Sequence, residues 1–130
     1  MKKNDHKLKN DNFIESCNSA VNGIIYSATT QKNIKIQLAI AVIIMILSLF
    51  YGLETTEFIC LVFAVFFVIF AELINTAIET VVDLFVDVYH PKAKIAKDVA
   101  AGAVVLAACN AVIVGYFIFF KEANLKALSD

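Results

Sequence analysis

Three long apolar runs dominate the chain. Ile36–Leu53 carries no charge and is interrupted only by Gln37, Ser48 and a terminal Tyr51-Gly52 pair. Phe58–Phe85 is apolar as far as Ala71 and then acquires polar residues, and Val99–Phe120 is again free of charge. Each run is long enough for a helix to cross about 30 Å of hydrocarbon. Nothing alternates with period two, and a helix satisfies its own backbone in lipid, so the pattern predicts transmembrane helices over 34–53, 58–86 and 96–120. The segment before them has a different pattern. Phe13, Cys17, Ala20, Val21, Ile24, Ile25 and Ala28 would cover one helical face, with Glu15, Asn18, Ser19, Asn22, Tyr26 and Ser27 on the other. Asn12 and Glu15 make an Asn-x-x-Glu start signal. This predicts an amphipathic helix over 13–30, lying in the membrane interface or packed on the surface of the bundle. Residues 1–12 are charged and polar and are expected to form a flexible tail without the apolar core of a cleavable signal.

The second run holds the most informative residues. On a helix Glu72, Asn75, Thr76, Glu79 and Asp83 fall within roughly 100° of arc, along about 16 Å. A carboxylate at the bilayer centre costs on the order of 3 kcal/mol, so three on one apolar helix mark a functional site by default. Helix–helix glue is the competing reading, and Asn75 and Thr76 would suit it better than the two glutamates.

Composition narrows the options. The chain has 130 residues, 60% of them apolar, with one Pro and four Gly, which fits a single all-α membrane domain. A formal charge of −1 argues against a nucleic-acid partner. Cys17, Cys60 and Cys109 stand alone in apolar surroundings and read as buried thiols. Every basic residue is a lysine. Lys2, Lys3, Lys7, Lys9, Lys32 and Lys35 precede the first span, and Lys92, Lys94 and Lys97 lie between the second and third. The intervening Glu54-Thr55-Thr56-Glu57 loop has none. The positive-inside rule therefore puts the N-terminus and the second loop in the cytoplasm. The C-terminus falls outside, although Lys121 and Lys126, accompanied by Glu122 and Asp130, run against that bias.

The acidic stripe climbs towards the same lysine-bearing loop, Tyr89-His90-Pro91 followed by Lys94, Lys97 and Asp98. Carboxylates beside lysines at one membrane surface suit a polyphosphate and its Mg²⁺: the acids hold metal and the lysines neutralise phosphate oxygens. A deeper carboxylate can take the proton of a lipid hydroxyl at headgroup level. His90 reads as a loop-ordering residue. No Walker loop and no G-x-G-x-x-G are present.

At these residues the chain resembles a known family. Glu72-Leu73-Ile74-Asn75-Thr76-Ala77-Ile78-Glu79-Thr80-Val81-Val82-Asp83 is similar to the E-L-x-N-[ST]-A-I-E-x-V-V-D signature of the prokaryotic diacylglycerol kinases. Tyr89-His90-Pro91 and the run Ala93 to Val104 continue the likeness, in a form similar to the Gram-positive branch that includes many undecaprenol kinases. The resemblance extends from about Phe13 to Phe120. It implies a homotrimeric kinase of the bacterial cytoplasmic membrane, with active sites shared between subunits. Such a kinase moves the γ-phosphoryl of MgATP to a lipid alcohol: undecaprenol, or alternatively diacylglycerol. By the same resemblance Glu72 is the catalytic base and Glu79 a metal-binding carboxylate. Asn75, Val88, Tyr89, His90, Lys97 and Asp98 face the nucleotide, and Ala101 lies near the lipid.

One departure stands out. The family usually has Glu-Arg-Asn-x-Arg-Ile-His before the first span, where this chain has Gln31-Lys32-Asn33-Ile34-Lys35-Ile36-Gln37. Gln31 thus stands at a metal-ligand position, with an amide oxygen that can ligate Mg²⁺ but brings no charge. Two readings of other classes remain at this point. An ion or proton pathway would use the intramembrane acids but leave Lys94, Lys97 and Asp98 unexplained. A non-catalytic membrane subunit would accommodate Gln31.

Overall fold

The computed structural model describes residues 13–129, which form four helices in chain order: α1 Phe13–Thr30, α2 Lys32–Tyr51, α3 Thr55–Phe85 and α4 Pro91–Ser129. Three of them, α2, α3 and α4, are long and apolar enough to cross a membrane. Asn12 and the tail before it lie outside the described residues.

Each boundary has a local cause. Gln31 alone separates α1 from α2, with extended backbone at φ −93° and ψ 121°. At the end of α2, Gly52 adopts the left-handed conformation (φ 66°, ψ 49°), and its N–H and that of Leu53 both donate to Ser48 O. Glycine meets that geometry without the Cβ penalty other residues incur. Glu54 and Glu57 then form a reciprocal capping box that starts α3. At the other end, Pro91 opens α4, where its missing N–H costs nothing. His90 caps the same helix: its Nδ1 accepts the Lys92 N–H at 3.2 Å.

α4 is longer than its expected span of 96–120. It begins at Pro91 and continues to Ser129, because the Lys121–Leu128 stretch is made of good helix formers. The extra turns return two lysines to the α2–α3 turn. Lys121 Nζ lies 2.7 Å from Glu57 Oε1 and 3.9 Å from Glu54 Oε1. Lys126 Nζ donates to Phe50 O at 3.0 Å and sits over the Phe50 and Tyr51 rings. The two cations that oppose the charge bias are therefore engaged by the acidic turn and the open carbonyl end of α2.

The packing is uneven. α3 and α4 make the principal interface, with Leu61 and Ala64 of α3 and Ala100 and Ala107 of α4 buried. Small residues let two backbones approach closely in lipid, where no hydrophobic force drives them together. α2 leans on α3 and touches α4 only lightly, which leaves a groove between α2 and α4. Apolar side chains such as Leu49, Phe63, Phe66, Leu106 and Phe117 are exposed along the spans, as a lipid solvent allows. The expectation of buried thiols is corrected here. Cys17, Cys60 and Cys109 are all exposed, because the apolar segments that carry them turn those positions outwards. In α1 the apolar face of Phe13, Val21, Ile24 and Ile25 is likewise open.

Candidate functional site at the α2–α3–α4 end

The polar stripe of α3 divides into a buried half and an open half. Glu72 is 2% exposed and Asn75 6%, and Thr76 is also buried, while Glu79 is half-buried and Asp83 exposed. Glu72 lies 17 residues into α3, about 26 Å along its axis, and Gln37 about 8 Å along α2 from its start. Both therefore sit near one end of a 30 Å hydrocarbon slab.

Three polar contacts build the site. Gln37 Nε2 donates to Glu72 Oε2 at 3.2 Å, joining α2 to α3 across the bundle. Asn75 Nδ2 donates to Glu79 Oε1 at 3.2 Å, one turn further along. Lys97 Nζ of α4 donates to Asp83 Oδ1 at 2.6 Å, fastening the end of α3 to the start of α4. Thr76 and Thr80 return their hydroxyls to the carbonyls of Glu72 and Thr76, so both serve the helix itself. Among the described residues two side-chain oxygens, Gln37 Oε1 and Asn75 Oδ1, are buried without a partner. A buried acceptor left unpaired costs about 1–3 kcal/mol, and such atoms mark places where something else is meant to bind.

The remaining expected residues sit around this cluster rather than in it. Val88, Tyr89 and His90 lie in the exposed link between α3 and α4. Asp98 pairs with Lys94 one turn before it on α4, and Ala101 is exposed on the same helix. Gln31 is half-buried between α1 and α2, and its side chain makes no capping hydrogen bond. Among the described residues no three His, Cys, Asp or Glu side chains converge in a metal-binding group. The donors on hand near Glu79 are its own carboxylate and the unpaired Asn75 oxygen. That set fits a hard cation delivered with its phosphates, since Mg²⁺ is commonly held by one or two carboxylates plus substrate oxygens.

The groove between α2 and α4 runs from this cluster into the spans. It encloses about 650 Å³ and is lined by Ile40, Ala41 and Ile44 of α2, Val65, Val68 and Ile69 of α3, and Ala108, Ala111, Val112, Gly115 and three aromatics of α4. Of its lining residues only Gln37 and Tyr116 carry polar side-chain atoms. Gln37 thus belongs to both the groove and the carboxylate. Sequence reasoning met it only as an interruption of an apolar run and as a departure from the family pattern. The available signal was that it is the only amide side chain in an otherwise apolar segment.

Comparison with known proteins adds three findings. The model of the family described as prokaryotic diacylglycerol kinase matches residues 18–119. Undecaprenol kinase of Bacillus subtilis (strain 168) is 37% identical over 122 residues, covering 94% of this chain and 99% of that protein. Diacylglycerol kinase of Synechocystis sp. (strain ATCC 27184 / PCC 6803 / Kazusa) is 44% identical over 105 residues, covering 80% of this chain and 60% of that protein.

Proposed function

The chain belongs to the prokaryotic diacylglycerol kinase family and is a membrane lipid kinase, and from that footing we propose that it phosphorylates undecaprenol with MgATP at the cytoplasmic surface. The observation that carries the acceptor reading is that Gln37, which lines the apolar groove, donates to the buried Glu72 carboxylate. A groove of one long channel suits a single hydrocarbon chain whose terminal hydroxyl arrives at Glu72. Agreement with the Bacillus undecaprenol kinase from end to end supports the same acceptor. Diacylglycerol is the second reading, favoured by the higher identity to the Synechocystis kinase over a shorter stretch.

The chemistry follows from the two halves of the stripe. Glu72, shielded from water, accepts the hydroxyl proton as the lipid oxygen attacks the γ-phosphorus. The bond to the ADP oxygen breaks, and ADP leaves with its own phosphates. Lys97 neutralises phosphate oxygens, and Asn75 orients Glu79 through its Nδ2 donation, leaving its own oxygen to accept from a donor or to ligate a cation. Glu79 would hold Mg²⁺, which when bound offsets the charge on the transferred phosphoryl group. Val88, Tyr89, His90 and Asp98 supply an open, partly polar face to the nucleotide, and Ala101 lies towards the lipid. The face is open in one chain, so a second copy closing over it would complete the site. This is the arrangement expected of a homotrimer with shared active sites.

Orientation is part of the proposal. The lysine-bearing α3–α4 link and the N-terminus face the cytoplasm, where ATP is available, and the α2–α3 turn faces outwards. The test is direct. Purified protein in lipid receives γ-labelled MgATP with either undecaprenol or diacylglycerol. Label in undecaprenyl phosphate supports the first acceptor, label in phosphatidic acid alone replaces it with the second, and no labelled lipid from either rejects the reading.

A further inference from the structure

We propose that Gln37 is a positioning residue for the reaction, holding the Glu72 carboxyl group in place in both of its protonation states. The inference rests on the reading of Glu72 as the base. It starts from the asymmetry of one amide. Gln37 Nε2 donates to Glu72 Oε2 at 3.2 Å, while Gln37 Oε1 is buried with no partner. The carboxylate is 2% exposed and gains this hydrogen bond from a different helix. Thr76 bonds to the Glu72 backbone oxygen and does nothing for the side chain. Gln37 is therefore the side chain that the structure gives Glu72 as a partner among the described residues.

The amide is suited to a base that must change state. Before transfer Glu72 is an ionised carboxylate, an acceptor only, and the Gln37 N–H satisfies it. During transfer the lipid O–H bond breaks, its proton joins a Glu72 oxygen, and the alkoxide oxygen bonds to phosphorus as ADP departs. Glu72 is then a carboxylic acid, which must donate one hydrogen bond. Rotation of the Gln37 amide by 180° presents Oε1, the atom now without a partner, as the acceptor. The proton then leaves to water and the amide returns. An apolar side chain here could serve neither state, and a carboxylate would serve only the second.

The test uses the full-length protein in lipid, with Gln37→Met as a nearly isosteric side chain lacking the amide. Turnover, KM for MgATP, thermal melting and oligomer size are measured in two backgrounds, with Glu72 intact and with Glu72→Gln. With Glu72 intact, Gln37→Met is expected to lower kcat by at least 10-fold, with the nucleotide KM and oligomer size unchanged and melting lowered modestly by the carboxylate left without its donor. In the Glu72→Gln background the same change is expected to alter turnover by less than two-fold, because the group it positions is already gone. A kcat within two-fold of the parent, or an equal loss in both backgrounds, overturns the proposal. Should Gln37→Met fail to assemble, Gln37→Glu keeps the shape, and turnover equal to the parent at neutral pH overturns it in the same way. Near-normal turnover in Glu72→Gln alone is a separate result, which removes the base and leaves Gln37 nothing to position.

Discussion

Lys97 Nζ and Asp83 Oδ1 meet at 2.6 Å, so the lysine expected to face phosphate is held by a carboxylate of the neighbouring helix. The contact ties the end of α3 to the first turns of α4 and spans the link that carries Val88, Tyr89 and His90. Both partners are substantially open to solvent, so the pair serves to aim a side chain more than to hold the fold. Lys97→Met should raise the KM for MgATP and reduce kcat/KM by roughly 10²-fold, the scale of a lost charge-assisted phosphate contact. Asp83→Asn leaves the positive charge in place and should cost only a few-fold. Steady-state kinetics at varied MgATP read both, and equal losses for the two variants would place Asp83 in the chemistry as well.

Glu72→Gln is the sharpest change available at the buried end. It retains size and hydrogen bonding but cannot take a proton. The expected loss in turnover is on the order of 10²-fold or more, with oligomer and melting intact. Chromatography and lipid phosphorylation on one preparation check it. Full activity from an intact assembly would exclude Glu72 as the base.

Much of this arrangement is legible in the sequence because lipid imposes a simple rule. Charge-free runs that long must be helices, and five polar residues on one arc must share a face. The reasons why Cys60 and Cys109 are exposed, why Lys121 lies beside Glu57, and why Gln37 meets Glu72 are not legible, since each depends on how helices rotate about one another. Gln37 and Glu72 are 35 residues apart in the chain, and no local pattern links them. The charge bias can be read from lysine counts, but that Lys121 pairs with Glu57 and Lys126 with the end of α2 cannot, since both contacts join distant parts of the chain.

Ala96, Ala100, Ala103 and Ala107 fall on one stripe of α4, and two of them differ in how they pack. Ala100 is 6% exposed, whereas Ala103 is open, and both line a shallow apolar depression with Phe67 and Phe70. Ala100→Leu overfills the α3–α4 seam and should destabilise the chain by about 1–3 kcal/mol. Ala103→Leu leaves that seam alone and should instead lower the yield of oligomer. Thermal melting in detergent and analytical ultracentrifugation distinguish them. An unchanged oligomer in Ala103→Leu would mean that this face meets lipid tails.

Gln31 provides the last test, because it asks whether a neutral residue occupies a charged residue's place. The side chain is half-buried between α1 and α2 and makes no capping hydrogen bond there. An amide oxygen can bind Mg²⁺ but adds no negative charge, and hard cations bind more tightly as ligand charge rises. On the proposed reading Glu79 would be the main charged donor the chain offers the metal. Gln31→Glu should supply a second carboxylate and lower the Mg²⁺ concentration needed for half-maximal lipid phosphorylation by several-fold. Activity at limiting metal should rise with it. A Mg²⁺ titration of both proteins at fixed ATP checks the outcome. Superimposable curves would show that Gln31 faces water, and a higher metal requirement in Gln31→Glu would show a site already adapted to a neutral ligand.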